Sequence, residues 1–228
     1  MDALPVKMHA WHIEEREYLC QEERRGRRHA FERLTPHQTA LVVIDMVPFC
    51  LDVFAYVRGI VPNINALAQT LRETGGHVMW VIPRTQARPT ARSERFFGKS
   101  AEAYSRSGGE GPLADRFWPS LAPREGELVF EKRYSSAFFP GSCVGSNDLY
   151  GVLQARGVET VLITGTVTNV CCESSARDAA TLGYNTIMVA DGTAARRDQD
   201  HNATLYTIYR SFGDVRPTQD LIELIQQK

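Results

Sequence analysis

Three residues of this chain have side chains that could make and break bonds together: Asp45, Lys132 and Cys171. The cysteine lies in the stretch TVLITGTVTNVCCESSARDAA, residues 160–180. An apolar, β-branched run from Thr160 to Thr164 is broken by Gly165. A short polar loop leads to Cys171 and Cys172, after which Ala176, Ala179, Ala180 and Leu182 recur on one side of a helical pattern. The stretch reads strand, loop, cysteine, helix. A thiol placed there meets the unpaired N–H groups and positive dipole end of a helix, and both favour a thiolate. Backbone N–H groups in the same loop could hold an oxyanion.

Asp45 ends a second apolar run, TALVVID, and Lys132 ends a third, LVFEK. Each alone has a plain structural reading: a turn or capping aspartate, a solvated lysine, an inert core cysteine. In an open parallel sheet, however, ligands bind beyond the carboxyl ends of the strands. Three such ends carrying a carboxylate, a cation and a thiol make a set that activates cysteine without histidine. The carboxylate takes the thiol proton and the lysine stabilises both negative charges. Other nucleophiles fit less well. The G-x-C-x-G string at Gly141–Gly145 lacks the strand before it that a nucleophile elbow needs. Cys172 points roughly 100° away from Cys171 on a helix and is expected to pack inward. Ser135 and Ser136 have no histidine partner nearby.

The elements that must position the three residues alternate along the chain. Pro62–Thr74 is a helix with Ile64, Leu67, Ala68 and Leu71 on one face, closed by Gly75 and Gly76. Val78–Ile82 is the next strand. Asn147–Arg156 is a helix, Asn185–Ala190 a strand ending at Asp191, and Asp198–Phe212 a helix. A short strand at Gly213–Arg216 and a helix at Thr218–Gln227 close the chain. The pattern predicts one α/β domain over residues 38–228. Its core is a doubly wound, mostly parallel six-stranded sheet with helices on both faces.

Residues 1–37 read as an N-terminal arm, with Trp11, Tyr18 and Leu19 as sparse anchors. Its basic run, Arg24, Arg25, Arg27 and Arg28, is expected to pair with its own glutamates on a solvated helix face. Contact of the basic run with an anion or a nucleic acid, and an arm lying on a neighbouring subunit, are the other readings. Residues 84–126 are irregular yet contain Phe96, Phe97, Tyr104, Phe117 and Trp118, as a lid would.

The 228 residues carry a net charge of −1, so nothing global points to nucleic acid or a membrane surface. No apolar run approaches the roughly 18 residues of a membrane span, and the N-terminus lacks a signal-peptide core. Five cysteines without framework spacing suggest reduced thiols and a cytoplasmic protein. The six histidines are scattered, so no metal and no cofactor are expected.

From about Gln38 to Ile225 the chain resembles the isochorismatase-like cysteine hydrolase family, with its nicotinamidases, carbamoylsarcosine amidases, ureidoacrylate amidohydrolases and streptothricin hydrolases. The resemblance rests on LVVIDM around Asp45, EKRYSSAFF around Lys132, GTVTNVCCESSARDA around Cys171, and the VAD that ends at Asp191. It implies a Rossmann-like fold and a catalytic triad of Asp45, Lys132 and Cys171. It also implies a cis Thr166–Val167 peptide, an oxyanion hole formed by the Val167 and Cys171 N–H groups, and a homo-oligomer, dimer or tetramer. Two departures stand out. Where the family has Gln and Phe after the first aspartate, this chain has Val47 and Cys50, with Phe49 one position early, which bears on the pocket floor. The D-x-H metal motif of nicotinamidases is replaced by PRTQARPT, which argues against a metal and against nicotinamide. CCESS is closer to the ureido and streptothricin branches.

The expected activity is cysteine-dependent hydrolysis of a C–N bond in a small amide, ureido, carbamoyl or lactam substrate through a thioester. Vinyl-ether hydrolysis of isochorismate, or an inactive binding protein of the same fold, are the alternatives. Phe49, Trp80, Arg84, Gln86, Tyr104 and Phe138 are the candidate substrate contacts, with Arg84 placed to meet a carboxylate.

Overall fold

The computed structural model describes residues 6–51, 55–121, 123–143 and 148–227. Six strands form one sheet: β1 (Thr39–Ile44), β2 (His77–Pro83), β3 (Leu128–Lys132), β4 (Thr160–Thr166), β5 (Asn185–Ala194) and β6 (Asp214–Arg216). Their order is β3-β2-β1-β4-β5-β6 and every pairing is parallel. The chain winds outward from β1 in one direction, then returns to β4 and winds outward in the other. The reversal between β1 and β4 opens a crevice at their carboxyl ends, where ligands bind in such sheets.

Ten helices surround the sheet among the described residues: α1 (Glu15–Arg25), α2 (Pro48–Leu51), α3 (Ala55–Gly59), α4 (Val61–Thr74), α5 (Ala91–Phe97), α6 (Ala101–Ser105), α7 (Leu149–Ala155), α8 (Glu173–Thr181), α9 (Asp198–Ser211) and α10 (Thr218–Gln226). Residues of α4 and α10 (Ile64, Leu67, Leu71, Leu221, Ile225) cover one face with Leu41, Val43 and Leu162. Residues of α7, α8 and α9 (Leu149, Leu153, Ala176, Ala179, Leu205, Ile208) cover the other with Val42, Ile44 and Ile163. Alternate residues of β1 thus serve two cores, which is why its apolar run is continuous rather than alternating. No helix among the described residues is long and apolar enough to cross a membrane.

Three parts differ in detail from the sequence reading. β5 does not end near Asp191 but runs to Ala194, because its pairing with β4 shifts register between Ile163 and Gly165. The irregular step frees the Asp191 side chain to accept from the N–H and the hydroxyl of Thr218, both at 2.7 Å, fixing the start of α10. The helix expected from Asn147 starts at Leu149, capped by Asp148, whose carboxylate accepts from Gly151 N at 2.6 Å. Asn147 itself lies outside the described residues. The stretch 84–126 holds two short helices, α5 and α6, and of its aromatics Phe117 is buried against Trp80.

The arm packs on its own domain. Tyr18 of α1 meets Tyr209 of α9 edge-on at 5.1 Å, and Asp214 of β6 receives the Ala30 N–H at 2.9 Å. Arg28 of the basic run is paired with Glu15 and Glu22 at 2.8 and 2.9 Å.

Candidate active site

Asp45 follows β1 directly, and its N–H continues the ladder by donating to Val81 O at 2.8 Å. Its φ of 53° is the only positive value at a non-glycine residue among those described. That turn ends the strand and aims the carboxylate across the sheet instead of along it. Lys132 ends β3, in register with Pro83 of β2. Cys171 sits in a single π-helical turn, Thr168–Cys172, between the end of β4 and α8. Such turns inside or beside α-helices recur at functional sites because they displace a side chain from the regular helical face.

These three elements converge on one cluster. The Lys132 ammonium donates to Asp45 Oδ2 at 2.9 Å, to Cys171 Sγ at 3.3 Å and to Tyr134 O at 3.1 Å. All three of its donors are therefore used, as a buried ammonium requires. Asp45 and Lys132 are each only 4% exposed. Asp45 Oδ1 is buried with no hydrogen-bond partner among the described residues, and the Cys171 thiol is near enough to the carboxylate that each group influences the other's ionisation.

Burial dominates the electrostatics. It raises the Asp45 carboxyl above the usual carboxylate range, against the pull of Lys132. Burial also opposes the Lys132 charge, but Asp45 and Cys171 outweigh it and hold the ammonium firmly protonated. Cys171 has only a partly exposed surface, at the floor of a cavity, and burial pushes its thiol up to about 12. Lys132 works against that rise and Asp45 adds to it. The resting site is thus an ion pair beside a neutral thiol. Burial thus works against the thiolate that the helix terminus and the lysine favour.

The cluster floors a cavity of about 360 Å³. Phe49, Phe97 and Tyr104 form an aromatic wall, with Phe97 stacked on Tyr104 at 4.5 Å and Phe49 edge-on to Tyr104 at 5.7 Å. Arg84, Gln86 and Arg133 line the side above β2 and β3, and Val167, Asn169, Val170, Arg196 and Asp200 line the other. The Arg84 N–H donates to Lys132 O at 2.8 Å, which sets Arg84 and Arg133 side by side at two strand ends. Both guanidinium groups are exposed, and neither has a hydrogen bond or ion pair to a described residue.

Of the expected contacts, Phe49, Arg84, Gln86 and Tyr104 reach the cavity, and Trp80 and Phe138 do not. Trp80 points from mid-strand into the core under α4, donating its indole N–H to Glu127 Oε2 at 2.7 Å. Phe138 is buried on the opposite side of the sheet near Tyr184. Arg133, Asn169, Arg196 and Asp200 were not singled out from the sequence. Arg133 had a signal, its place one residue beyond a strand-end lysine. Arg196 and Asp200 had none, since the true end of β5 is set by its register shift.

Val167 also lines the cavity, and the Thr166–Val167 peptide is cis. Thr166 Oγ1 donates to Asp45 O at 2.8 Å and ties the ends of β1 and β4 together. Cys172 is fully buried and turned inward. Cys143 of the G-x-C-x-G string is also buried, its thiol donating to Ala137 O at 3.4 Å; Val144 and Gly145 lie outside the described residues. Among the described residues no group of three or more His, Cys, Asp or Glu is arranged to hold a metal.

Comparison with known proteins agrees with this architecture. A maleamate amidohydrolase from Pseudomonas putida is 38% identical over 115 residues, half of this chain and 51% of that protein. A ureidoacrylate amidohydrolase from Agrobacterium fabrum is 27% identical over 217 residues, 85% of this chain and 92% of that protein. A solved cysteine hydrolase from Pseudomonas syringae pv. phaseolicola superposes with a TM-score of 0.72 at 28% identity, covering 87% of this chain and 96% of that one. Residues 39–220, which span all six strands and every residue of the cluster, match the isochorismatase domain, and the chain belongs to the isochorismatase family.

Proposed function

We propose that this isochorismatase-family protein is a cysteine-dependent amidohydrolase. It would act on a small amide, ureido, carbamoyl or lactam substrate that carries a carboxylate. The observation that carries the proposal is the Lys132 ammonium bridging the Asp45 carboxylate at 2.9 Å and the Cys171 thiol at 3.3 Å on the cavity floor.

In this reading Cys171 Sγ attacks the substrate carbonyl as Asp45 Oδ1 takes the thiol proton. A neutral resting thiol requires that base, and a carboxyl raised above its ordinary range is better matched to accepting and returning a proton near neutrality. The Val167 and Cys171 N–H groups hold the tetrahedral oxyanion. Asp45 then gives its proton to the leaving nitrogen, and the thioester remains. Water, deprotonated by Asp45, attacks the thioester carbonyl; collapse expels the Cys171 sulfur, which recovers a proton from Asp45. Lys132 stays protonated and offsets whichever neighbour carries the negative charge.

Support for an acidic substrate comes from Arg84 and Arg133, two guanidinium groups beside an aromatic wall that pair with no described residue. The maleamate and ureidoacrylate amidohydrolases are relatives whose named substrates are acids of this kind. The test is a screen of amide, ureido and carbamoyl acids for ammonia release or mass change, followed by Cys171→Ala and Cys171→Ser on the substrate found. Both variants are expected to lose on the order of 10³-fold or more in kcat/KM. A trapped acyl-enzyme, 1:1 on Cys171 by mass spectrometry, is the positive result. Activity retained in Cys171→Ala, or pyruvate released from isochorismate by that variant, would replace the thiol mechanism with a general-acid one.

A further inference from the structure

The arm lies outside the matched domain, yet it reaches the back of the active site. Its residues 7–12 cross α3 toward the start of α9. The Lys7 N–H donates to Ala55 O at 3.3 Å, and a Cβ on Gly59 would stand 2.0 Å from Lys7 O, so only glycine lets the arm lie this close. Asn202 of α9 clamps it in both directions, accepting from the His12 N–H and donating to Ala10 O, each at 3.1 Å.

His9 is the centre of this segment. Its ring is sandwiched between Tyr56 at 3.9 Å and His201 at 4.1 Å, within 9° of parallel to both. Its Nε2 accepts from the Ala195 N–H at 3.0 Å. A backbone N–H can only donate, so Nε2 is the unprotonated nitrogen and Nδ1 carries the proton that faces Asp198 Oδ1 at 2.6 Å. Ala195 and Asp198 bracket the turn that begins with Arg196, and Arg196 and Asp200 both line the cavity. His201 makes the second link. Its Nδ1 is 2.9 Å from Thr168 Oγ1, with both residues fully buried. Thr168 opens the π-helical turn that carries Cys171 and follows Val167 directly.

We infer that His9 is a positioning residue, through which the N-terminal arm braces the turn bearing Cys171 and the loop bearing Arg196. A histidine kept only to fill space would not need both ring nitrogens committed to one active-site loop. An aromatic ring of any kind would serve the stack. The inference takes Cys171 as the working thiol, and its test has a readout that needs no substrate.

That test is hydrogen exchange by mass spectrometry on the full chain, with His9→Phe compared with wild type. The phenylalanine keeps the stack and removes both hydrogen bonds. Amides in residues 167–173 and 195–201 should exchange roughly tenfold faster or more, with kcat falling by a similar factor while the melting curve stays cooperative. Thr168→Val, which is nearly isosteric, should reproduce the fall in kcat and the faster exchange at 167–173 but leave 195–198 unchanged. Thr168→Ser should return both toward wild type. Unchanged exchange at 167–173 in His9→Phe, while residues 6–12 open, overturns the inference. If His9→Phe does not fold, Thr168→Val decides, and wild-type exchange and kcat there overturn it equally. Faster exchange in a protein that hydrolyses none of the screened substrates would leave the brace standing and count against the proposed function alone.

Discussion

At the scale of residues, the site depends on placing three ionisable groups where none can relax into water. Asp45 Oδ1 is buried without a hydrogen-bond partner among the described residues, which suits it to the base role proposed for it, and its raised pKa sets a measurable limit. In the proposed mechanism activity needs the ionised carboxylate, and protonation removes it. The acid limb of kcat/KM is therefore expected to lie above the ordinary carboxylate value of about 3.9. A pH–rate profile checks this, and Asp45→Asn is expected to abolish turnover rather than move the limb. Arg84 and Arg133 are exposed, and neither guanidinium pairs with a described residue, so their loss costs the fold little. Arg84→Gln and Arg133→Gln are each expected to raise KM for an acidic substrate about tenfold, with a much smaller change for its neutral amide analogue. Equal effects on both substrates would remove these residues from carboxylate recognition.

At the scale of elements, the ends of β1 and β4 carry the site, and Gly165 lets them approach. Its φ is 105°, and a Cβ there would meet Ile44 O at 2.0 Å. Gly165→Ala is expected to cost at least about 3 kcal/mol, read by denaturant unfolding, and to abolish activity in whatever fraction folds. The sequence showed this glycine only as the break in an apolar run. Likewise, the strand-loop-cysteine-helix order was legible around Cys171. The π-helical turn was not, because it follows from packing against β4 and α9. Trp80 illustrates the same limit. Position in β2 was right, but the face of the strand was decided by Glu127, Phe117 and α4, none of them adjacent in sequence.

At the scale of the whole molecule, the arm, α9 and the sheet share a buried pair of histidines. His201 is fully buried, and burial first, then the neighbouring His9, lowers its pKa to about 3. The folded state therefore resists protonation while the unfolded chain takes a proton near 6.5. Because the unfolded state binds more protons in this window, stability falls as pH drops below about 6.5 and continues to fall toward 3. The loss from this residue is about 2 kcal/mol at pH 5. Urea unfolding at pH 7 and pH 5 measures it, and His201→Gln is expected to flatten the difference between the two pH values even if it lowers stability at both.

The amino-acid sequence by itself determined the winding of the sheet and the three strand ends that meet. Continuous apolar strands alternating with amphipathic helices admit few other arrangements, and the C-terminal ends of parallel strands necessarily share one edge of the sheet. Only the tertiary structure decided how deeply the thiol is buried, since burial is a property of everything packed around Cys171. It also decided which aromatics face the cavity, where β5 ends, and that residues 7–12 lie behind the turn bearing Cys171. Those outcomes depend on contacts between segments distant in sequence, which local periodicity does not encode.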